Sequence, residues 1–132
     1  MAFEFNVHKT TRGPLPRVPF GTLAKKILGE HYSLSLVVCG DSLATALNKK
    51  YRKKSYSPNV LSFPYAKDEG EILLNLQKTK REAREFNVSL NERAAFLFIH
   101  ACLHLKGHAH GKKMDQLEAK YLKIFSRNSS RA

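Results

Sequence analysis

The sequence predicts a single α/β or α+β domain, a mixed sheet of about four strands sandwiched with about five helices. Three observations lead there. Stretches with strand-like alternation are interleaved with stretches of helical period along the whole chain. The 132 residues, 42% of them hydrophobic, can build one core without disulfide staples. No repeat, low-complexity tract or linker divides them, so one domain is expected over residues 1–126, with a disordered polar tail over 127–132.

The elements follow in order. "FEFNVH" (3–8) alternates apolar and polar residues, as a half-buried strand does. "TTRGPLPRVP" is a proline-rich loop, and "FGTLAKKILGE" spaces Leu23, Ile27 and Leu28 helically until Gly29 ends the helix. "HYSLSLVVC" is the second strand. Gly40 breaks it, and Asp41 is placed to cap a helix through "SLATALNKKYRKK". "VLSFPY" (60–65) and "EILLN" (71–75) are strands around a "KDEG" turn, with Pro64 suited to an edge position or a strand end. Asn75 is a possible cap for the charged helix "LQKTKREAREFN", whose alternating charges suggest a surface of i,i+4 pairs. "SLNE" is a capping box that opens the most apolar helix, "RAAFLFIHACLHLKG". "DQLEAKYLKIF" supplies the last helix, with Leu117, Tyr121 and Leu122 on one face.

Charge narrows the function. Twenty-three Lys and Arg against eleven Asp and Glu leave a formal charge of +12, a field that favours nucleic acid or another polyanion. No apolar run reaches the length of a membrane span, and "MAFEFNVHKT" lacks the pattern of a signal peptide. Cys39 and Cys102 each sit inside an apolar run and read as buried thiols. A cytoplasmic protein without a membrane partner is expected.

Four of the six histidines fall in "HACLHLKGHAH" (100–110). His100 and His104 are one helical turn apart, so both rings leave the same face and can share one zinc ion. Gly107 can take the left-handed conformation that stops the helix and reverses the chain. The turn then brings a third histidine back, either His110, at the offset used by metzincin peptidases, or His108. His108 could instead face solvent and shuttle protons. Three protein ligands leave a fourth position for water or substrate, the arrangement of a catalytic site on the central apolar helix and the turn after it. The peptidases' general-base glutamate is absent, because Ala101 follows His100. Cys102 lies about 200° round the helix from His100 and points to the core.

A second cluster precedes the third strand. Lys49, Lys50, Arg52, Lys53 and Lys54 surround Tyr51, with Tyr56 nearby. Cations neutralise phosphates and aromatic rings stack on unpaired bases, which makes this a candidate RNA-binding surface as well as a plain solvated helix face.

In order and spacing, "LNKKYRKKSYSPNVLSFPY", "GEI", "HACLHLKGHAH" and Met114 resemble the YbeY family of bacterial rRNA-maturation metalloproteins. The resemblance implies a mixed α/β sandwich with the histidines lining a cleft. It implies a zinc-dependent, single-strand-specific endoribonuclease acting in 16S rRNA 3′-end maturation and ribosome quality control. His100, His104 and His110 match the family's metal triad. Arg52 matches an arginine of the same cleft that, with His100, is important for activity. The implied partners are rRNA, the small ribosomal subunit and other assembly factors. The chain departs from the family pattern at Ala101 for glycine, His108-Ala109 for Tyr-Asp, Asn59 for aspartate and Glu71 for aspartate. A non-catalytic, metal-stabilised rRNA-binding assembly factor is the alternative these departures leave open.

Overall fold

The computed structural model describes residues 2–129. Its elements run β1 (Glu4–Lys9), α1 (Phe20–Leu28), β2 (Ser33–Cys39), α2 (Asp41–Arg52), β3 (Val60–Ala66), β4 (Glu69–Asn75), α3 (Leu76–Glu85), α4 (Leu90–Leu105) and α5 (Lys112–Ser129). The α+β sandwich with a four-stranded mixed sheet is thus as predicted. The start of the 127–132 tail continues α5 as far as Ser129, and positions 130–132 lie outside the described residues. Among the described residues, no helix is long and apolar enough to cross a membrane.

The sheet order is β1-β2-β4-β3. β1 and β4 flank β2 in parallel, while β3 returns antiparallel on β4, joined to it by a tight turn. Pro64 therefore sits on an edge strand, where its missing N–H breaks no central ladder. Period-2 alternation divides the strands between two layers. Leu34, Leu36, Val38, Ile72 and Leu74 face the main core with α1, α4 and α5. Cys39, Leu61 and Leu73 face a smaller cluster beneath α2. β1 is more exposed than its alternation predicts: Val7 pairs with Leu36, yet at the sheet's edge it stays 38% exposed.

Helix α4 is the hub. Ala94, Phe98, Ala101 and Cys102 are wholly buried, and Phe98 meets Phe20 edge to face at 4.9 Å. Ser89 caps it by accepting the Glu92 N–H at 3.0 Å. Asn75 likewise caps α3 by accepting the Lys78 N–H. The cap expected of Asp41 is not formed. Gly40 holds the N-cap position, and the Asp41 N–H donates to Gln77 Oε1 at 2.8 Å.

Asp41 is occupied elsewhere. Its carboxylate accepts from Ser57, Asn75 and both terminal nitrogens of Arg81, tying α2, α3 and the β3 approach together. The i,i+4 pairing expected on α3 gives way to ties between elements, Arg81 to Asp41 and Glu82 to Arg93 of α4. The reason is geometric, since packing brings these partners to 2.8 and 2.9 Å across the elements. Arg81 first, then Ser57 and Asn75, hold the Asp41 carboxyl well below the usual carboxylate range. A depressed carboxyl stabilises the fold above its unfolded pKa and loses that contribution as pH falls. Asp41→Asn should therefore cost about 1 kcal/mol at neutral pH, the charged hydrogen bonds being discounted for exposure. In urea titrations the gap between variant and parent should shrink steadily below about pH 4.

Candidate metal centre

The last turns of α4 bring His100 and His104 out on one face. Gly107 then takes φ +104°, and the His108 N–H closes on the Leu103 carbonyl at 3.0 Å, so the chain turns back over the helix end. That reversal sets His110 beside the other two. The ring centroids lie 4.5, 4.8 and 5.2 Å apart, and one ligand nitrogen from each falls within 4.8 Å of the others. His100 and His104 are half-buried, while His110 is exposed.

Hydrogen-bond partners assign the tautomers. His104 Nδ1 lies 3.1 Å from the His108 carbonyl, which can only accept, so Nδ1 carries the proton. His100 Nδ1 lies 3.2 Å from Glu118 Oε1, and donates to that carboxylate. Each Nε2 is then a bare lone pair, and the two face each other at 3.0 Å. Two lone pairs so close repel unless a cation lies between them. Two nitrogens on one tetrahedral zinc would be about 3.3 Å apart. The donor set fits a divalent metal of the borderline class, and the triad could bind one. Burial, and then the neighbouring His100, hold the His104 imidazole below its ordinary pKa, which keeps it in the neutral form a metal requires.

The triad opens into a cleft of about 560 Å³, lined also by Arg52, Asn59, Ser62, Arg93, Phe96, Asp115 and Glu118. Ser62 fixes one wall by donating to the Ala101 carbonyl of α4 at 3.1 Å. Arg52 ends α2. The wholly buried Asn48 accepts from it at 3.3 Å and donates to the Tyr56 carbonyl at 3.0 Å, holding both the arginine and the chain that follows. Lys53 closes the helix in the left-handed conformation, φ 57°, which reverses the chain at the cleft's rim.

Of the basic cluster, Arg52 lines this cleft, and the structure does not bring Lys49, Lys50, Lys53 or Lys54 into it. All four are exposed. Tyr51 turns to the sheet's other side, edge to face with Phe63 at 5.6 Å, with Lys50 Nζ 5.1 Å from its centroid. His108 sends its carbonyl to His104 but lines a different hollow with its side chain.

Sequence reasoning missed Glu118, Asp115 and Arg93. Glu118 had a signal, as a lone acid four residues after Met114 on the apolar stripe of α5, now 8% exposed. Arg93 and Phe96 had one too, at seven and four residues before His100 on the same helical face. Arg93 lies over both Phe86 and Phe96 and pairs with Glu82 at 2.9 Å. Glu118→Gln should weaken metal binding about 10- to 100-fold, the usual effect of losing a ligand's hydrogen-bonded carboxylate. Competition against a fluorescent zinc chelator would measure it.

The family model described as "Endoribonuclease YbeY" matches residues 17–126. The chain belongs to the YbeY family. A relative with that same description from Wolbachia sp. subsp. Drosophila simulans is 33% identical over 105 residues, covering 74% of this chain and 70% of the relative. Another, from Chlorobium phaeobacteroides, is 28% identical over 137 aligned positions, covering 95% and 96%. A third, from Carboxydothermus hydrogenoformans, is 35% identical over 82 residues and is spanned to 57% of its length. A Thermotoga maritima protein solved in solution shares the fold with a TM-score of 0.69 at 22% identity, covering 98% of this chain and 93% of that one. The YbeY match takes in both the arginine and the histidines of the cleft.

Proposed function

We propose that this chain is a zinc-dependent, single-strand-specific endoribonuclease of the cytoplasm. Its substrate would be the 3′ region of 16S rRNA on the small ribosomal subunit, in maturation and quality control with other assembly factors. The observation that carries this reading is the convergence of three imidazoles and the Arg52 guanidinium in one cleft. The names of the family and its relatives, and the charge of +12, support an RNA substrate.

His100, His104 and His110 would hold the metal, with Glu118 and the His108 carbonyl fixing two of the rings. When bound, zinc supplies Lewis acidity next to the scissile phosphate. The protein's own groups do the rest. Arg52 offers a planar fork to the phosphate and meets the negative charge that grows as phosphorus takes on a fifth oxygen. Asn48 keeps that fork aimed. A proton acceptor is also needed, and the lining leaves one candidate. The histidines are spent on metal, Glu118 is spent on His100, and the two arginines are cations. Asp115 remains, and among the described residues no hydrogen bond or ion pair engages its carboxylate. It takes the proton of the attacking hydroxyl as the O–P bond forms and the bond to the leaving oxygen breaks. That oxygen is protonated by water.

The test is cleavage of a single-stranded rRNA precursor fragment by purified protein, with and without chelator. Cutting that a chelator stops and zinc restores, with the duplex form left intact, is the expected result. Binding without cutting in the zinc-loaded protein would sink the nuclease reading in favour of the assembly factor. Mapped ends then identify the nucleophile, since a cyclic phosphate and inert DNA mean attack by the 2′-hydroxyl.

A further inference from the structure

The turn that carries His110 has a second side. Separate from the cleft, with no lining residue in common, is a hollow of about 250 Å³, lined by Lys26 of α1, Lys106 after the end of α4, His108 in the turn and Lys113 of α5. Its floor is apolar and includes Leu103 and Tyr121. Among the described residues, no acidic side chain lines it and none of the three lysines is ion-paired. Helix stability does not account for the cluster. Lys106 gains from the dipole at the end of α4, but Lys113 sits in the first turn of α5, where a cation is disfavoured. Lysines from separate elements that crowd one concavity without counter-charge form a field that calls for an anion.

We propose that this hollow is a second RNA-backbone site, binding phosphodiesters of the strand that flank the segment in the cleft. The inference rests on the RNA-cleaving reading for its choice of anion. The two sites share a wall. His108 lines the hollow while its carbonyl holds His104 of the triad, and the turn from Lys106 to Lys113 separates the two concavities. A strand leaving the cleft past His110 crosses that turn and meets the lysines on the far side. The lysines contact phosphates, so the site extends the length of RNA gripped and reads no sequence.

The test uses the zinc-loaded protein and the triple variant Lys26→Gln, Lys106→Gln, Lys113→Gln, none of which lines the cleft. Affinity is measured across a salt series for a tetranucleotide and for a single-stranded RNA of about 20 nucleotides. On the long RNA, the log–log salt slope should fall by about 2 in magnitude, about 0.7 for each lysine removed. Affinity for it at low salt should drop at least tenfold, while the tetranucleotide is bound and cut as before. The Lys→Arg triple variant should keep the parental slope. An unchanged slope on long RNA overturns the proposal, as does an equal loss on both substrates, which would mean a disturbed cleft. Displacement of polyglutamate, rather than RNA, by the glutamine changes would overturn it in favour of an acidic protein partner. If the parent cuts nothing but the slopes behave as stated, the nuclease reading fails and the second RNA site stands.

Discussion

His104→Ala should abolish stoichiometric zinc and lower RNA cleavage by about a thousandfold, equivalent to about 4 kcal/mol of transition-state stabilisation. His104 is the middle of the triad, 4.5 and 4.8 Å from its partners by ring centroid. Its loss leaves two imidazoles too few and too mobile to hold a zinc at neutral pH. The same substitution should leave the metal-free protein at least as stable as its parent. It removes one of two lone pairs that face each other at 3.0 Å, and it takes nothing from the core, where Leu103 and Cys102 stay buried. The pH dependence follows with a definite sign. The folded metal-free protein holds His104 below its ordinary pKa, whereas the unfolded chain does not. The unfolded state therefore binds more protons, and the metal-free parent loses stability as pH falls through about 6.5. His104→Ala should flatten that limb. Elemental analysis, cleavage assays and urea titrations at two pH values check the three parts. A variant that keeps one zinc per chain and full cleavage would remove the basis of the site.

Asp115→Asn should cut kcat by about 100- to 1,000-fold, within the span of a lost general base. Zinc content should be unchanged, and RNA affinity equal or slightly higher, since a negative charge leaves a basic cleft. The charged groups that share the cleft are Arg52, Arg93, Glu118 and the three histidines. Asp115→Glu, which keeps a carboxylate, should recover part of the lost rate. Recovery by the glutamate variant, with kcat and KM read separately, distinguishes this from mere positioning. If the glutamate variant recovers nothing, or zinc is lost along with activity, Asp115 supports His110 and the proton goes elsewhere.

Much of this architecture is legible in local patterns. Alternation in "HYSLSLVVC" and "EILLN" assigns strands because the pleat repeats every second residue, and Ser89 and Asn75 announce helix starts because their side chains satisfy orphan N–H groups. The Asp41 cap failed for a related reason. A short acid at a helix start has local partners within reach, but packing brought Arg81, Ser57 and Asn75 to it as well. The i,i+4 pairs on α3 failed likewise, since exposed local pairs are weak and give way to partners on neighbouring elements.

The histidine cluster that could hold a metal was readable because its determinants are local: one helical turn between His100 and His104, and a glycine that reverses the chain before His110. Spacing therefore pointed to His100 and His104, with His110 or His108, as a group that could hold a metal, and together with the arginine motif it carried the family resemblance. What spacing left open was long-range. Glu118 reaches His100 from 18 positions away, Asp115 and Arg52 meet in one cleft from different helices, and the ring of His108 turns to the opposite side from that of His110. Such meetings depend on how α2, α4 and α5 pack about the sheet, and packing is set by the summed fit of the whole core, which no short stretch of sequence encodes.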